Sequence, residues 1–191
     1  MATTIGIIGK GNVGSALQRG LSKAGLETRV SGKDDVADVA SGAEVIILAV
    51  PFGAIDDVVS KIGKNADGKI VIDVTNTLLE NMQFADLPAS GAEELQKKLP
   101  KAKVAKAFNT NFAQHMDSGK VNGQQLSAFA AADDESARNK VLELARSIGF
   151  DAVNAGPLAN AKHLESLAFM NIFLGYVAGN GPMTGFKYIR Q

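Results

Sequence analysis

The chain has 191 residues, of which 46% are hydrophobic and 21% are charged. These values are typical of a globular chain with its own core and exclude a disordered chain or a membrane bundle. Twenty Lys and Arg residues balance twenty Asp and Glu residues. This balance argues against a dedicated nucleic-acid-binding protein, because such proteins carry a basic excess. The chain contains no cysteine, so disulfides, thiolate catalysis and cysteine metal sites are excluded.

Neither a targeting segment nor a membrane span is indicated. The first residues, Met-Ala-Thr-Thr-Ile-Gly, lack the basic flank and the long apolar core of a signal peptide. The longest apolar run covers residues 45–50, whereas a helix needs about 20 residues to cross a bilayer. We therefore expect a soluble, cytoplasmic protein.

Apolar runs of strand length alternate along the chain with segments of helical period. The expected strands cover residues 5–8, 28–31, 45–50, 69–73, 103–108, 126–131 and 150–154. The expected helices cover residues 12–24, 34–40, 55–62, 92–99, 133–148 and 158–178, with a loop at 75–90 and a Gly-rich tail at 179–191. This alternation predicts an α/β fold with a doubly wound parallel sheet, whose ligands bind beyond the carboxyl ends of the strands.

A glycine-rich turn follows the first strand and opens the first helix. Its spacing, Gly-x-Gly-x-x-Gly, is formed by Gly9, Gly11 and Gly14. Gly9 allows the tight turn, Gly11 leaves room for a pyrophosphate, and Gly14 lets the helix pack closely on the strand. The free N–H groups at the helix start would then hold the anion. In this strand–turn–helix context the motif predicts a dinucleotide-binding Rossmann sheet, although a glycine turn alone only punctuates the chain.

The second strand ends at Ser31, Gly32 and Lys33, with no acidic residue in the turn itself. A NAD-binding protein usually has Asp or Glu there, bonded to the adenosine ribose. Ser31 and Lys33 suit the 2′-phosphate of NADP, which a carboxylate would repel. Asp34 and Asp35 follow immediately. The turn favours NADP over NAD, and its alternative interpretation is a solvated surface turn.

Three further strand ends carry candidate site residues. Ala49, Val50 and Pro51 follow the third strand and either pack along the dinucleotide or only stop the strand. Asn76 and Asn109 follow the fourth and fifth strands, where an amide can bind a ribose, a carboxamide or a ring carbonyl, although Asn is also common in turns. Candidate residues for a second-substrate pocket near these ends are Phe52, Phe108 and Thr110.

Lys106 and the two histidines do not form a recognisable catalytic set. Lys106 lies within an otherwise apolar strand, so its ammonium either reaches the cleft or the strand is less buried than expected. His115 and His163 are far apart and lack metal-ligand spacing, so no metal site is predicted. We interpret His115 as a surface residue, with substrate contact as the alternative. The absence of an acid or base at a strand end suits direct hydride transfer, which needs no catalytic side chain.

The C-terminal region contrasts with the rest of the chain. Residues 164–178 contain a single charged residue, Glu165, and a helix that is apolar nearly all round must be buried. We expect a second subunit to cover it, giving a homodimer, with packing on the chain's own sheet as the alternative. The tail that follows either folds over the cleft or is a flexible terminus.

The chain resembles the coenzyme F420-dependent NADP reductase family. The resemblance lies in the glycine-rich turn with its Ser and Lys strand end, and it continues in four segments along most of the chain. They are AVP at 49–51, DVTN at 73–76, KAFNT at 106–110 and AGPLANAKHLE at 155–165. The last two are more specific than the glycine-rich turn.

The resemblance implies that residues 1–154 form a Rossmann domain and residues 155–191 a small helical part that contributes to the second-ring pocket. It implies that NADP lies along the turn and that hydride passes between nicotinamide C4 and a stacked deazaflavin (F420) or flavin ring. The implied NADP-binding residues are Gly9, Lys10, Gly11, Asn12, Val13, Ser31, Gly32, Lys33, Ala49, Val50, Pro51, Asn76 and Asn109. The implied second-ring pocket adds the turn of Gly156, Pro157 and Leu158.

Two alternatives to a deazaflavin or flavin reductase remain open at this point. One is an imine or keto reductase, which would need a proton donor, and the sequence offers no strong one. The other is a sensor that binds NADP without turnover. An open, ring-sized pocket would favour the enzyme, and a pocket filled by Phe52, Phe108 or the tail would favour the sensor.

Overall fold

The computed structural model describes residues 3–79, 83, 85 and 87–191. The loop expected at 75–90 therefore lies partly outside the described residues. The described strands are β1 (Thr4–Ile8), β2 (Glu27–Ser31), β3 (Val45–Leu48), β4 (Ile70–Asp73), β5 (Lys103–Ala107), β6 (Lys120–Val121), β7 (Gln124–Gln125), β8 (Ser127–Ala132) and β9 (Asp151–Asn154). The described α-helices are α1 (Asn12–Lys23), α2 (Val36–Gly42), α3 (Ile55–Ile62), α4 (Gly91–Lys98), α5 (Glu135–Ile148) and α6 (Ala161–Ile172).

These elements form a seven-stranded sheet in the order β2-β1-β3-β4-β5-β8-β9, with β6 and β7 as a separate hairpin. The chain moves outward from β1 to β2 and then returns to the other side of β1, which makes the end of β1 the switch point of the sheet. The predicted doubly wound Rossmann-like fold is confirmed.

The sheet is mostly parallel, not parallel throughout. β1 to β5 are parallel, but β8 runs antiparallel to β5, with Lys106 opposite Ala131. The connection between β5 and β8 contains a single-turn helix, Ala113–His115, and the β6–β7 hairpin, but no α-helix. A parallel return needs a long crossover, usually a helix, to carry the chain back across a sheet face. The helix α5 provides such a crossover, so β8 and β9 pair in parallel.

Alternation along each strand builds two hydrophobic cores, one on each face of the sheet. In β1, Ile5 and Ile7 belong to the core beneath α1 and α5, whereas Ile8 belongs to the core beneath α2, α3 and α4. All three side chains are fully buried. Burial on both faces explains the uninterrupted apolar runs of the central strands.

The C-terminal helix is shorter than expected and changes its pitch. After the single turn at Leu158–Asn160, α6 runs from Ala161 to Ile172 and continues as one π-helical segment at Phe173–Val177. One face of α6, which includes Leu164, is buried. The opposite face is exposed, so the expectation of burial all round is wrong for this chain by itself.

Candidate functional site

The glycine-rich turn has the steric properties that its spacing predicts. Gly9 has φ +121°, and a Cβ there would lie 2.2 Å from the carbonyl oxygen of Ala49. A Cβ on Gly14 would lie 2.0 Å from the carbonyl oxygen of Gly9. A Cβ on Gly11, by contrast, would meet no atom within 4 Å. Gly9 and Gly14 are therefore required by the protein's own packing, whereas Gly11 faces open space that a ligand can use.

Helix α1 starts directly from this turn. Its N-cap is Gly11, which provides no side-chain hydrogen bond, and Asn12 and Val13 form the first turn. The N–H groups of a first helical turn have no partner within the helix. They therefore give the turn the anion-binding potential of an uncapped helix start, reinforced by the helix dipole.

The turn after β2 lies against the glycine-rich turn, but not all of its predicted groups are free. The Nζ of Lys10 lies 3.4 Å from the position of a Cβ on Gly32, and Lys33 is exposed. The hydroxyl of Ser31 is buried and donates to the carbonyl oxygen of Gly32 at 2.9 Å. The N–H of Gly32 donates to Oδ1 of Asp35 at 2.7 Å. The structure thus gathers Lys10, Gly32 and Lys33 but directs the Ser31 hydroxyl away from solvent.

The end of β3 forms the other wall of the turn. Ala49 donates its N–H to the carbonyl oxygen of Ile8 at 2.8 Å, and its own carbonyl faces Gly9. Val50 is half-buried and Pro51 is exposed. These residues lie beside the glycine-rich turn, in the position that the parallel register of β1 and β3 dictates.

A cleft of about 470 Å³ opens at the ends of β4 and β5. It contains four of the predicted residues, Asn12, Val13, Asn76 and Asn109. The Nδ2 of Asn109 donates to Oδ1 of Asn76 at 3.0 Å, so the two strand-end amides contact each other. The sequence did not identify the other lining residues, which are Leu78, Asn111, Phe112, Ala113, Gln114, Ala168, Asn171, Ile172 and Tyr176.

Amide and apolar groups dominate the cleft. Among its described lining residues, only Tyr176 has an ionisable side chain, and that side chain is exposed. Asn111 follows Asn109 by two residues, and Asn171 is an isolated amide in an apolar helix. These two patterns were the available signals for the missed residues. The described lining of the cleft offers no buried acid or base.

Beneath the cleft lies a buried ion-pair cluster that explains the unexpected lysine of β5. The Nζ of Lys106 lies 2.9 Å from Oδ2 of Asp73 and 2.9 Å from Oε1 of Glu165, and it donates to the carbonyl oxygen of Thr75 at 2.6 Å. Burial by itself lowers the pKa of the Lys106 ammonium, but the two carboxylates outweigh this effect and raise it. Lys106 is fully buried, so it neither reaches the cleft nor marks an exposed strand.

Three candidates for the second-substrate pocket lie elsewhere. Phe108 has φ +63° and is buried in the core, with its ring centroid 6.0 Å from that of Phe150. Thr110 is buried, and its carbonyl oxygen accepts from Nδ2 of Asn171 at 3.0 Å. Phe52 lines a separate groove of about 280 Å³ between α3 and α4. None of the three side chains lines the cleft.

The turn of Gly156, Pro157 and Leu158 is not brought to the cleft either. The carbonyl oxygen of Gly156 accepts from the N–H of Ala132, and the N–H of Leu158 donates to Oδ1 of Asp133 at 2.9 Å. Because β8 and β9 run against β5, this turn lies toward the amino end of β5, away from the cleft. Leu158 is buried in the core. The reversed direction of β8 therefore places this part of the expected pocket away from the cleft.

The C-terminal tail packs against the rest of the protein, and His115 contacts part of it. The Nε2 of His115 lies 3.0 Å from the carbonyl oxygen of Pro182, and His115 is fully buried. Its interpretation as a surface residue is therefore wrong. Further along, the N–H of Ser127 donates to the carbonyl oxygen of Phe186 at 3.0 Å. The tail packs beside the start of β8 and leaves the cleft open.

In residues 3–79, 83, 85 and 87–191, no three or more His, Cys, Asp or Glu side chains come together as a metal-binding group. Within the same residues, every helix is too short or too polar to cross a membrane.

A doubly wound sheet with a Gly-x-Gly-x-x-Gly turn at its switch point defines a Rossmann-type protein with the geometry of a dinucleotide site. Comparison with known sequences agrees with this class. A family profile described as "NADP oxidoreductase coenzyme F420-dependent" matches residues 28–77. The matched segment runs from β2 to just past the end of β4 and includes the turn at Ser31 to Lys33 and the AVP segment.

Individual relatives extend the match along the chain. The F420-dependent NADP reductase of Methanocaldococcus jannaschii is 26% identical over 156 residues, which is 77% of this chain and 68% of that protein. The metalloreductase STEAP3 of Rattus norvegicus is 29% identical over 182 residues, which is 87% of this chain and 36% of that protein. This chain spans between 19% and 36% of the length of the first metalloreductases that it matches.

A crystal structure from Arthrobacter sp. FB24, provisionally named an F420-dependent NADP reductase, superposes with a TM-score of 0.90. It is 27% identical and covers 99% of this chain and 100% of that one. These findings confirm that the chain resembles the coenzyme F420-dependent NADP reductase family. Its relatives by sequence and by structure include NADP-dependent oxidoreductases.

Proposed function

We propose that the protein is an NADP-dependent oxidoreductase that transfers hydride directly between nicotinamide C4 and a deazaflavin (F420) or flavin ring. The observation that carries the proposal is the cleft of about 470 Å³ between Val13 and α6. It opens beside the uncapped start of α1 and is lined by amide and apolar groups. Direct hydride transfer needs two stacked rings and no side chain that moves a proton, which fits a cleft of this composition.

The nucleotide part of the proposal rests on the two turns. The open space at Gly11 and the first N–H groups of α1 suit the pyrophosphate. The ammonium groups of Lys10 and Lys33 suit the 2′-phosphate of NADP, with Gly32 between them. Ala49, Val50 and Pro51 would flank the dinucleotide, and Asn76 and Asn109 would face its nicotinamide end. Bound NADP would supply or take up the hydride.

The proposal also assigns a separate role to each of two parts of the chain. Residues 1–154 would bind the nucleotide, and residues 155–191 would close the cleft on the side of the second ring. This assignment is supported by the cleft residues Ala168, Asn171, Ile172 and Tyr176, which come from α6 and the segment after it.

The open cleft favours an enzyme over a sensor. Phe108 points into the core, Phe52 lies in another groove, and the tail packs beside β8. None of them fills the space that a second ring would occupy. We further propose a cytoplasmic location, which fractionation of the source cells would test.

The homodimer also remains a proposal, supported by an apolar face. Met170, Phe173, Tyr176 and Val177 are between 43% and 64% exposed on consecutive turns. Contiguous exposed apolar surface marks interaction sites. We expect dimers in light scattering coupled to gel filtration and monomers for Val177→Asp. A monomeric wild-type protein would refute this part.

The function is tested by mixing the protein with NADPH and either F420 or FMN and following the nicotinamide absorbance. Oxidation with F420 alone identifies a deazaflavin reductase, and oxidation with FMN alone identifies a flavin reductase. Tight binding of NADPH with neither ring reduced would shift the assignment to another substrate or to the sensor. Failure to bind NADPH at all would overturn the proposal.

Tyr176 supports one alternative, an imine or keto reductase. Its hydroxyl is the only ionisable group among the described residues that line the cleft, and such a reductase needs a proton donor. This alternative predicts turnover of a cyclic imine or a ketone that Tyr176→Phe reduces about a hundredfold, within the usual contribution of a general acid. Hydride transfer to a flavin ring should be nearly insensitive to the same substitution.

A further inference from the structure

Two amide side chains at the cleft are held in a defined orientation. The Nδ2 of Asn109 donates to the carbonyl oxygen of Leu164 at 3.1 Å. The Nδ2 of Asn111 donates to the carbonyl oxygen of Ser127 at 3.1 Å. A main-chain carbonyl can only accept a hydrogen bond, so in each case the nitrogen must face it. The position of each Oδ1 follows, because an amide flip would place two acceptors against each other.

Both oxygens lack a partner. Within the described part of the chain, Oδ1 of Asn109 and Oδ1 of Asn111 are buried and accept no hydrogen bond. The two residues are 5% and 6% exposed, and both line the cleft. A buried acceptor without a donor is unfavourable, and native proteins keep few such groups. A ligand that presents N–H donors would satisfy both oxygens.

The sheet order distinguishes the two acceptors. Asn109 contacts Asn76 at the end of β4, on the side that faces β3, β1 and the glycine-rich turn. Asn111 contacts Ser127 at the start of β8, one strand farther out. A dinucleotide that crosses the sheet from the switch point reaches Asn109 first. The second ring would therefore lie beside Asn111.

We propose that Asn111 is a specificity-determining residue whose Oδ1 accepts the imide N–H of the second ring, while Oδ1 of Asn109 accepts from the nicotinamide carboxamide. This inference rests on the proposed function and narrows the class of acceptor. Flavins and deazaflavins share a pyrimidinedione edge with an imide N–H. Simple ketones lack this donor. Asn109 and Asn111 would thus bind by accepting, and their nitrogens are not available to a ring carbonyl.

The test compares riboflavin and 5-deazariboflavin with their 3-methyl derivatives, in which the imide N–H is replaced. Binding is measured by ring fluorescence with the full chain and saturating NADP⁺, so that no turnover is required. We expect 3-methylation to weaken binding to the wild-type protein about tenfold, the effect of one lost hydrogen bond with its acceptor left unpaired. Using both parent rings shows whether the ligand is a flavin, a deazaflavin or either.

Asn111→Ala provides the matching variant, because it removes the acceptor and leaves space for the methyl group. It should bind the parent ring about tenfold more weakly and distinguish the two ring forms by less than about threefold. Asn139→Ala removes an exposed amide on α5, outside the cleft, and should distinguish the parent and methylated rings as the wild-type protein does. The wild-type comparison needs no substitution, so it remains valid even if Asn111→Ala fails to fold.

The outcomes distinguish a failure of the role of Asn111 from a failure of the proposed function. Equal binding of methylated and parent rings by the wild-type protein would overturn the role of Asn111, even if NADPH still binds and is oxidised. The role of Asn111 would also be overturned if Asn111→Ala distinguished the parent and methylated rings as strongly as the wild-type protein does. Failure of the wild-type protein to bind any of these rings, with NADPH binding intact, would reject the pyrimidinedione class and, with it, the flavin or deazaflavin acceptor of the proposed function. Loss of NADPH binding itself would refute the proposed function instead.

Discussion

The ammonium of Lys106 on β5 lies 2.9 Å from the carboxylate of Glu165 on α6. Both side chains are buried. Glu165 in turn accepts from the N–H of Gly91 at the start of α4, at 3.2 Å. The carboxylate of Glu165 therefore connects the C-terminal helix both to the central sheet and to α4, directly beneath the cleft.

Substitution of Lys106 by Met should be strongly destabilising. It would leave the carboxylates of Asp73 and Glu165 buried without their cation, and removing one partner of a buried ion pair typically costs about 3–5 kcal/mol. Urea denaturation measures this loss. Lys140→Met, which breaks an exposed pair with Glu143, should cost less than about 1 kcal/mol. A similar small loss for both variants would show that the buried cluster contributes little.

The same cluster predicts a particular dependence on alkaline pH. The pKa of Lys106 is raised in the folded protein, so the folded state holds this proton more tightly than the unfolded chain does. The stabilising contribution is complete below the ordinary lysine pKa of 10.5 and is lost as the pH rises above it. The difference in unfolding free energy between wild type and Lys106→Met should therefore stay constant from pH 8 to about 10 and shrink above that range. A difference that shrinks below pH 9 would contradict the assignment.

Asp134 caps helix α5 and should lose this role in acid. Hydrogen bonds from the Ser136 hydroxyl and from the N–H of Ala137 lower its pKa to about 2. Asp134→Ala should cost about 0.5–2 kcal/mol at neutral pH, the usual value of an N-cap. Because the pKa is depressed in the folded state, this contribution is present above pH 3.8 and is lost toward about pH 2. Urea titrations across this range measure it, with Glu135→Ala as the neighbouring control without a cap bond.

Substitution of Gly11 should weaken NADPH binding without loss of stability, whereas substitution of Gly14 should reduce stability. Gly11→Val adds a side chain in open space, so the protein should fold while losing NADPH binding by about a hundredfold or more, as the pyrophosphate site is blocked. Gly14→Ala forces a Cβ against the carbonyl oxygen of Gly9 and should cost about 1–3 kcal/mol of stability. Thermal unfolding and fluorescence titration with NADPH separate the two effects. Gly53→Val, which also meets no atom within 4 Å, is the control, and unchanged NADPH binding by Gly11→Val would remove this turn from the site.

Charge at the turn after β2 should decide between NADPH and NADH. Lys33→Glu places a carboxylate where the 2′-phosphate is expected and should weaken NADPH binding by about tenfold or more, since charges near a protein surface interact by a few kcal/mol at about 4 Å. NADH, which lacks this phosphate, should bind nearly as before. Equal weakening of both nucleotides would refute the assignment.

Removing the negative charge of Asp35, in the same turn, should change NADPH affinity in the opposite direction. Its carboxylate holds the N–H of Gly32 and repels a nearby phosphate. Asp35→Asn retains an acceptor oxygen but removes the charge, so NADPH should bind several-fold more tightly while NADH changes little. Asp34→Asn removes the same charge from the neighbouring residue and is the matched control. Tighter binding of both nucleotides, or an equal gain from Asp34→Asn, would contradict a local effect at Gly32.

Local sequence patterns were sufficient to predict most of the secondary structure and the glycine-rich turn. The apolar run at the centre of β3 can only be a strand covered on both faces, and the spacing of Gly9, Gly11 and Gly14 encodes steric requirements that act within a few residues. Asn76 and Asn109 were predicted at the cleft because parallel strands end at one edge of the sheet. Such features depend on neighbours in sequence, or on a rule that holds for every parallel sheet.

The remaining features depend on contacts between distant segments. Because β8 runs antiparallel to β5, the turn from Gly156 to Leu158 lies away from the cleft. No local sequence pattern in β8 or in this turn predicts the direction of the strand. The burial of Lys106 becomes understandable only when Glu165, 59 positions later in the chain, is placed beside it. The sequence alone therefore determined the strand and helix periods and the turn that starts α1, because short-range sterics and hydrophobic alternation encode them. Tertiary structure alone decided which further amides, such as Asn111 and Asn171, line the cleft and which charges meet beneath it, because packing across the sheet brings those groups together.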